Sequence, residues 1–303
     1  MRLVLVVKWS AESWFKRHSP LNAALCSREK IMNSYNELAQ ILDRLSFSDF
    51  YFNQISNAQC HVDFGKRKGK IDFTSIKSAA EQYTYESSGK YSVSIDRQLD
   101  TLEETPDAEL ILQCVEVFDW GGVQASNIID AINLHRKNEL KPYLTECKVW
   151  FENDDDLIVN LDKLSWSSGW TKVFSFMFEL TTIYDSRVAA YINFILASFF
   201  DSLESLGQKS ELTMITKHLV SFKGSGTRVR CLNSELRGML GIKMKSSDDK
   251  RNFKANKVAS WFLRYLCKLE YGEVTQANFR QMDKAMFMLG FDIKQIDLRA
   301  PFE

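Results

Sequence analysis

Proline and glycine are scarce in this chain of 303 residues, at 4 and 13. Both interrupt helices, so their scarcity favours long uninterrupted elements, mostly helical. Net charge is missing as well, since 39 Lys and Arg balance 39 Asp and Glu. Bulk charge therefore exerts no pull toward nucleic acid or membrane, and any basic surface must come from local clustering. There is no CxxC pair. The cysteines, Cys26, Cys60, Cys114, Cys147, Cys231 and Cys267, are widely scattered. That spacing argues against a zinc site and reads as buried thiols in a reducing compartment. Long apolar runs are absent too. The first, Leu3 to Val7, is too short for a signal-peptide core, and Val188 to Phe200 is short and carries Asn193 and Ser198. These absences lead us to expect a cytoplasmic monomer with no metal, no cofactor and no membrane partner.

What is present is apolar and aromatic. A hydrophobic fraction of 45% and an aromatic fraction of 13% belong to a globular chain, not a disordered one. Leu3 to Val7 reads as a short strand or the start of a buried helix. Between Ser27 and Leu45, Ile31, Leu38, Ile41, Leu42 and Leu45 recur on one helical face. Two short segments flank Gly65 to Gly69 and predict a hairpin with a basic tip of Lys66, Arg67, Lys68 and Lys70. That tip reads either as a solvated loop or as a phosphate contact. The polar stretch Tyr83 to Pro106 reads as a loop or connection. The expected division is a small α+β region over 1–105 and a helical domain over 106–303.

Further helices are expected at Asp107 to Phe118, stopped by Gly121 and Gly122, and at Ser126 to His135, capped by Ser126 or Asn127. Others are expected at Leu157 to Leu164 behind the acidic run Asp154 to Asp156, at Thr171 to Leu180, at Ser186 to Phe200, at Val258 to Leu269 and at Phe279 to Leu289. The fold class is mainly α: a helical bundle with a helix-hairpin-helix-like element and the small N-terminal α+β region.

Chemistry concentrates in Ser167 to Phe194, SSGWTKVFSFMFELTTIYDSRVAAYINF. Lys172 follows a small-residue turn, and Asp185 stands thirteen positions later at the head of an apolar helix. Two readings fit: a first-turn lysine and a helix cap, or a catalytic pair. Positive charge collects over Ser221 to Lys257, including Lys223, Arg228, Arg230, Arg237, Lys243 and Lys245, opposed only by Glu235, Asp248 and Asp249. Gly224-Ser225-Gly226 at its start could bring amides to a phosphate, and a solvated face explains the stretch equally well. His18, His61, His135 and His218 offer no clear catalytic partner.

The order turn, Thr171-Lys172-Val173, apolar helix, loop, Tyr184-Asp185-Ser186-Arg187-Val188, apolar helix resembles the helix–hairpin–helix DNA glycosylases. The resemblance covers about thirty residues. In that family a Leu-Pro-Gly-Val-Gly-x-Lys hairpin binds a backbone phosphate through its amides, and a Val-Asp-x-x-Val motif supplies an essential aspartate. Ser168 and Trp170 stand where the family has glycine, the Lys–Asp spacing is shorter, and the loop TTIYD has neither Gly nor Pro. The resemblance implies a glycosylase acting on a damaged or modified base in double-stranded DNA, in repair or in antiviral defence. Asp185 would be the catalytic carboxylate and Lys172 its partner. Ser168, Gly169, Trp170, Thr171, Arg187, Lys223, Arg228 and Arg230 would contact DNA. The alternative is a DNA-binding module on the same scaffold without turnover. A flipped base needs apolar faces to receive it, for which Trp120, Trp150, Trp166 and Trp170 lie nearby in sequence.

Overall fold

A computed structural model of the chain describes residues 32–65, 69–85, 93–96, 102, 104–123, 125–161, 163–224 and 226–296. The expected element at Leu3 to Val7, the beginning of the Ser27 to Leu45 helix, the tip residues Lys66, Arg67 and Lys68, and Ser225 lie outside them. The described residues all fall within one unit, Met32–Glu303.

They form twelve α-helices and four short strands. In chain order these are α1 (Tyr35–Arg44), α2 (Phe47–Phe50), β1 (Cys60–Asp63), β2 (Lys70–Phe73), α3 (Ile76–Glu81), α4 (Asp107–Trp120), α5 (Ala125–Arg136), α6 (Leu140–Glu152), α7 (Trp170–Met177), α8 (Ser186–Ser202), α9 (Leu206–Thr216), β3 (Val220–Ser221), α10 (Ser234–Met239), β4 (Lys243–Met244), α11 (Asp249–Tyr271) and α12 (Gln276–Leu289). A π-helical turn, Tyr51–Ile55, continues α2. The mainly helical class read from the sequence is the class observed.

β1 and β2 pair antiparallel as the expected hairpin, with Cys60 opposite Phe73 and Asp63 opposite Lys70. Gly65 and Gly69 hold φ of +84° and +68° at its turn, which suits residues without a Cβ. α1 packs on α9 and α11, and α3 packs on α12, so helices on the two sides of the expected 105/106 boundary are in contact. α1 is amphipathic, and its buried stripe of Leu38, Ile41 and Leu42 needs an apolar partner.

Two expected helical features change. Leu157 to Leu164 is not helical over its described residues. Leu157 and Val159 are buried while Ile158 is exposed, the alternation of a strand-like segment. Ile158 N–H donates to the Asp156 carboxylate at 2.6 Å and its carbonyl accepts from Trp150 Nε1 at 3.0 Å, bonds that replace a helical first turn. α5 starts at Ala125, so Ser126 and Asn127 lie inside it and do not cap it. The stop after α4 does occur at Gly121 and Gly122, where Val123 N–H reaches back to Phe118 O at 3.0 Å and Gly122 takes a φ of +63°.

The core is centred on α7, α8, α11 and α12. Every residue of α7 is buried, as expected for a helix that is apolar on nearly all sides. It ends at Met177, earlier than the apolar pattern predicts, because Phe178 turns extended and Leu180 takes a left-handed φ of +47°. That conformation is costly for a Cβ-bearing residue, of order 1 kcal/mol. Leu180 N–H is held by Gln276 Oε1 at 2.9 Å.

Candidate functional site

The stretch Thr181 to Tyr184, which leads to Asp185, is buried, and its polar backbone is therefore satisfied largely by side chains from helices remote in sequence. Asn256 of α11 accepts from Thr171 Oγ1 at 2.7 Å and donates to Thr182 O at 3.2 Å. Ser260 accepts from Thr182 N at 3.1 Å. Asp283 of α12 accepts from Thr182 Oγ1 at 2.5 Å and from Ile183 N at 3.1 Å, and it pairs with Arg280 at 3.4 Å. Tyr184 N donates to Thr171 Oγ1 at 2.8 Å, while its hydroxyl donates to Val220 O at 3.0 Å. A satisfied buried network of this kind fixes one geometry. It delivers Asp185 to the head of α8.

Asp185 divides its two oxygens. Oδ1 caps α8, accepting from Arg187 N at 2.9 Å and Val188 N at 3.3 Å. Oδ2 lies 3.7 Å from Lys172 Nζ. The Lys172 ammonium also donates to Ser168 O at 2.7 Å. The Lys172 side chain is 7% exposed and that of Asp185 14%. Burial pushes the lysine pKa down, and the Asp185 carboxylate opposes that shift. The two residues singled out in sequence thus form a nearly dry pair.

The pair faces a cavity of 440 Å³. Its walls include the aromatic residues Tyr83, Tyr85, Trp120, Trp166, Phe222 and Phe287, with the polar groups Ser168, Lys172, Asp185, Arg187, Arg230 and Lys245. A largely apolar cleft with a few convergent polar groups is the usual form of a small-ligand site. The Tyr83 hydroxyl is buried and has no hydrogen-bond partner among the described residues. Arg187 stacks on Phe287, its guanidinium carbon 4.1 Å from the ring centre.

The other expected contacts distribute unevenly. Trp170 and Thr171 are fully buried, 0% exposed, so neither presents surface to a duplex. Trp170 packs edge-on against Phe118 and Tyr143. The turn before α7 is also occupied: Ser167 Oγ accepts from both Gly169 N and Trp170 N at 3.1 Å. The amides expected to hold a phosphate are therefore spent on a serine. Gly169 is needed for closeness, since a Cβ there would stand 2.4 Å from Asn127 Nδ2. Of the four tryptophans, Trp120 and Trp166 line the cavity, whereas Trp150 packs against Phe151 and Phe253. Arg187 and Arg230 line the cavity. Arg228 joins them through Phe291, and Lys223 is exposed in the loop after β3.

Several site residues escaped the sequence. Tyr83, Tyr85, Phe222 and Phe287 come from four separate parts of the chain, and no spacing rule connects them. Asn127 was visible only as a cap candidate. It instead bridges Ser167 Oγ at 2.6 Å and Val123 O at 2.5 Å, tying α5 to the turn before α7. Among the described residues no group of three or more His, Cys, Asp or Glu is placed to hold a metal ion, and no helix is long and apolar enough to cross a membrane. No protein-family model matches the chain, and no curated protein or solved structure does.

Proposed function

We propose that the protein hydrolyses the N-glycosidic bond of a damaged or modified base in DNA, with Asp185 as the charge-stabilising carboxylate. The observation that carries this reading is the half-committed Asp185: one oxygen locks it to α8 and the other faces a buried lysine at the wall of an aromatic cavity. Breaking the bond sends its electron pair away with the base and leaves positive charge on the sugar, as in glycoside hydrolysis. A fixed carboxylate in a site with little water stabilises that charge strongly. The aromatic walls supply faces for a base taken out of its stack. Water completes the reaction at C1′, with Asp185 accepting its proton.

Lys172 has a supporting part in this scheme. Its ammonium neighbours Asp185 and is held by Ser168 O, which places a positive charge beside the carboxylate before substrate enters. A second reading, DNA binding without turnover, draws support from the turn before α7, whose amides are already satisfied by Ser167. The test is base release, read by mass spectrometry, from DNA carrying a broad panel of damaged and hypermodified bases. Wild type and Asp185→Asn are run together. Asparagine preserves the cap and removes the charge. Release by the wild type alone supports the enzyme; equal release by both variants removes Asp185 from the chemistry; no release with salt-sensitive binding intact favours the binding module.

A further inference from the structure

Three arginines gather around one aromatic ring beside the cavity. The guanidinium carbons of Arg228, Arg187 and Arg230 lie 4.2, 5.1 and 6.0 Å from the centre of Phe291. None of the three has a carboxylate within ion-pair distance among the described residues. Arg230 is 8% exposed, yet its hydrogen bonds go to neutral oxygens: Nη1 to Ser186 Oγ at 2.7 Å and Nε to Phe291 O at 3.2 Å. Its Nη2 has no partner among the described residues.

The nearby acids have their closest partners elsewhere. Asp283 is engaged by Arg280, Thr182 and Ile183. Asp292 accepts from Val229 N, Lys294 N and Gln295 Nε2. Asp185 faces Lys172. Burial and the charges of Arg187 and Arg228 press the Arg230 pKa down to about 10, with Asp185 and Asp292 opposing. Unpaired like charge at close range is unfavourable until an anion arrives.

The backbone around the cluster is shaped to bring these side chains together. A Cβ at Gly290 would stand 1.9 Å from Arg187 O, and one at Gly224 would stand 2.0 Å from Arg228 O. Only residues without a Cβ allow α8 and the loop before α10 to close in so far. Val229 O then accepts from Ile293 N at 3.0 Å, fastening the loop to the segment that carries Phe291.

We infer that Arg187, Arg228 and Arg230 form a phosphate subsite continuous with the aromatic cavity, so that the cavity takes a phosphorylated nucleoside unit: a nucleotide within a strand. Several planar donor forks suit an oxyanion with several free oxygens, whereas a single fork satisfies a carboxylate. An aromatic cleft with such a cluster at its edge matches a base joined through a sugar to phosphate. The subsite uses α8, Arg228 and Arg230 of the loop before α10, and Phe291 just after α12, none of which belongs to the turn before α7. The inference rests on the base-release reading only for its choice of a strand over a free nucleotide.

Binding of a single-stranded oligonucleotide with a tetrahydrofuran abasic-site analogue, followed by fluorescence anisotropy across a salt series, tests it. Arg228→Gln is the informative variant, because that side chain makes no hydrogen bond among the described residues and its loss should leave the fold intact. Lys268→Gln, at the exposed far end of α11, is the control. The expected result is at least tenfold weaker binding for Arg228→Gln, with a salt slope lower by about one, and no change for Lys268→Gln. A second arm titrates thymidine 5′-monophosphate against thymidine. Arg228-dependent preference for the monophosphate, at an affinity rivalling the oligonucleotide, keeps the subsite and makes the ligand a free nucleotide. Unchanged binding by Arg228→Gln in both arms overturns the subsite. Arg228-dependent binding without base release from any DNA leaves the subsite standing and removes the glycosylase reading. Base release with an unaltered KM in Arg228→Gln does the reverse.

Discussion

A Cβ added to Gly121 would stand 2.5 Å from Lys172 Cδ and 2.8 Å from its Cε. The φ of Gly121 is an ordinary −76°, so the glycine is there for space and not for conformation. The end of α4 and the stem of the lysine share one volume, and the lysine's approach to Asp185 depends on a missing methyl group.

Gly121→Ala is therefore expected to displace Lys172 from Asp185. Overpacking of this kind costs about 1–3 kcal/mol, measurable by urea denaturation. Base release should fall with it, by more than the same stability loss causes at a site away from the cavity. A variant that keeps full stability and full activity would show that the lysine stem has room to move.

Asp185→Asn and Asp185→Ala separate cap from charge. Only alanine loses the cap, worth about 1 kcal/mol, so it should be the less stable of the two. Both leave Lys172 buried without its counter-ion, and its pKa, already lowered by burial, falls further. Between the folded and unfolded lysine pKa the unfolded chain binds more protons, so stability rises with pH across that window. The deficit of Asp185→Asn against wild type should therefore shrink as pH is raised from neutral toward about 10. A deficit constant with pH would mean that Lys172 is not charged in the fold.

His218 gives the acid limb. Burial, followed by the charges of Lys217 and Lys254, pushes its pKa down to about 4 from 6.5. Between those values the unfolded chain holds the extra proton, so the folded state loses stability as pH falls through the window. The loss should reach about 3 kcal/mol. Denaturant midpoints at both ends of the window measure it, and His218→Gln should flatten that part of the profile.

Tyr83→Phe tests an unpartnered hydroxyl. Removing a buried group that makes no hydrogen bond should be neutral or stabilising, by up to about 1 kcal/mol. A ligand in the cavity would meet that hydroxyl, so the same substitution should raise KM or weaken binding. Lower stability together with unchanged ligand affinity would reverse both expectations.

Helix positions were legible wherever a long apolar pattern met a clear boundary. The aspartate before α8 and Gly122 after α4 stand where local capping chemistry favours them. Lys172, Asp185, Arg187 and Arg230 were all named from sequence, and they share one cavity. Trp170 and Thr171 were assigned to a surface and lie in the core, because a turn followed by Thr-Lys-Val looks alike in either place. Leu157 to Leu164 was read as helical since a short apolar run fits two periods. Asn256 and Asp283, which hold the loop leading to Asp185, could not be found. Each is one polar residue in a helical pattern, and its task is set by backbone about 75 to 100 positions away.

The same long reach governs how the protein comes into being. α1 packs on α11, and Tyr265 donates to Asp43 at 2.6 Å across a separation of 222 residues. During synthesis at about 5–20 residues per second, Asp43 waits roughly 10–40 s for its partner. Through that interval α1, with its buried Leu38, Ile41 and Leu42, lacks its packing against α11. The nascent chain therefore travels much of its length with α1 only partly packed, and the cavity wall is complete only after α12, which carries Asp283 and Phe287, has left the ribosome.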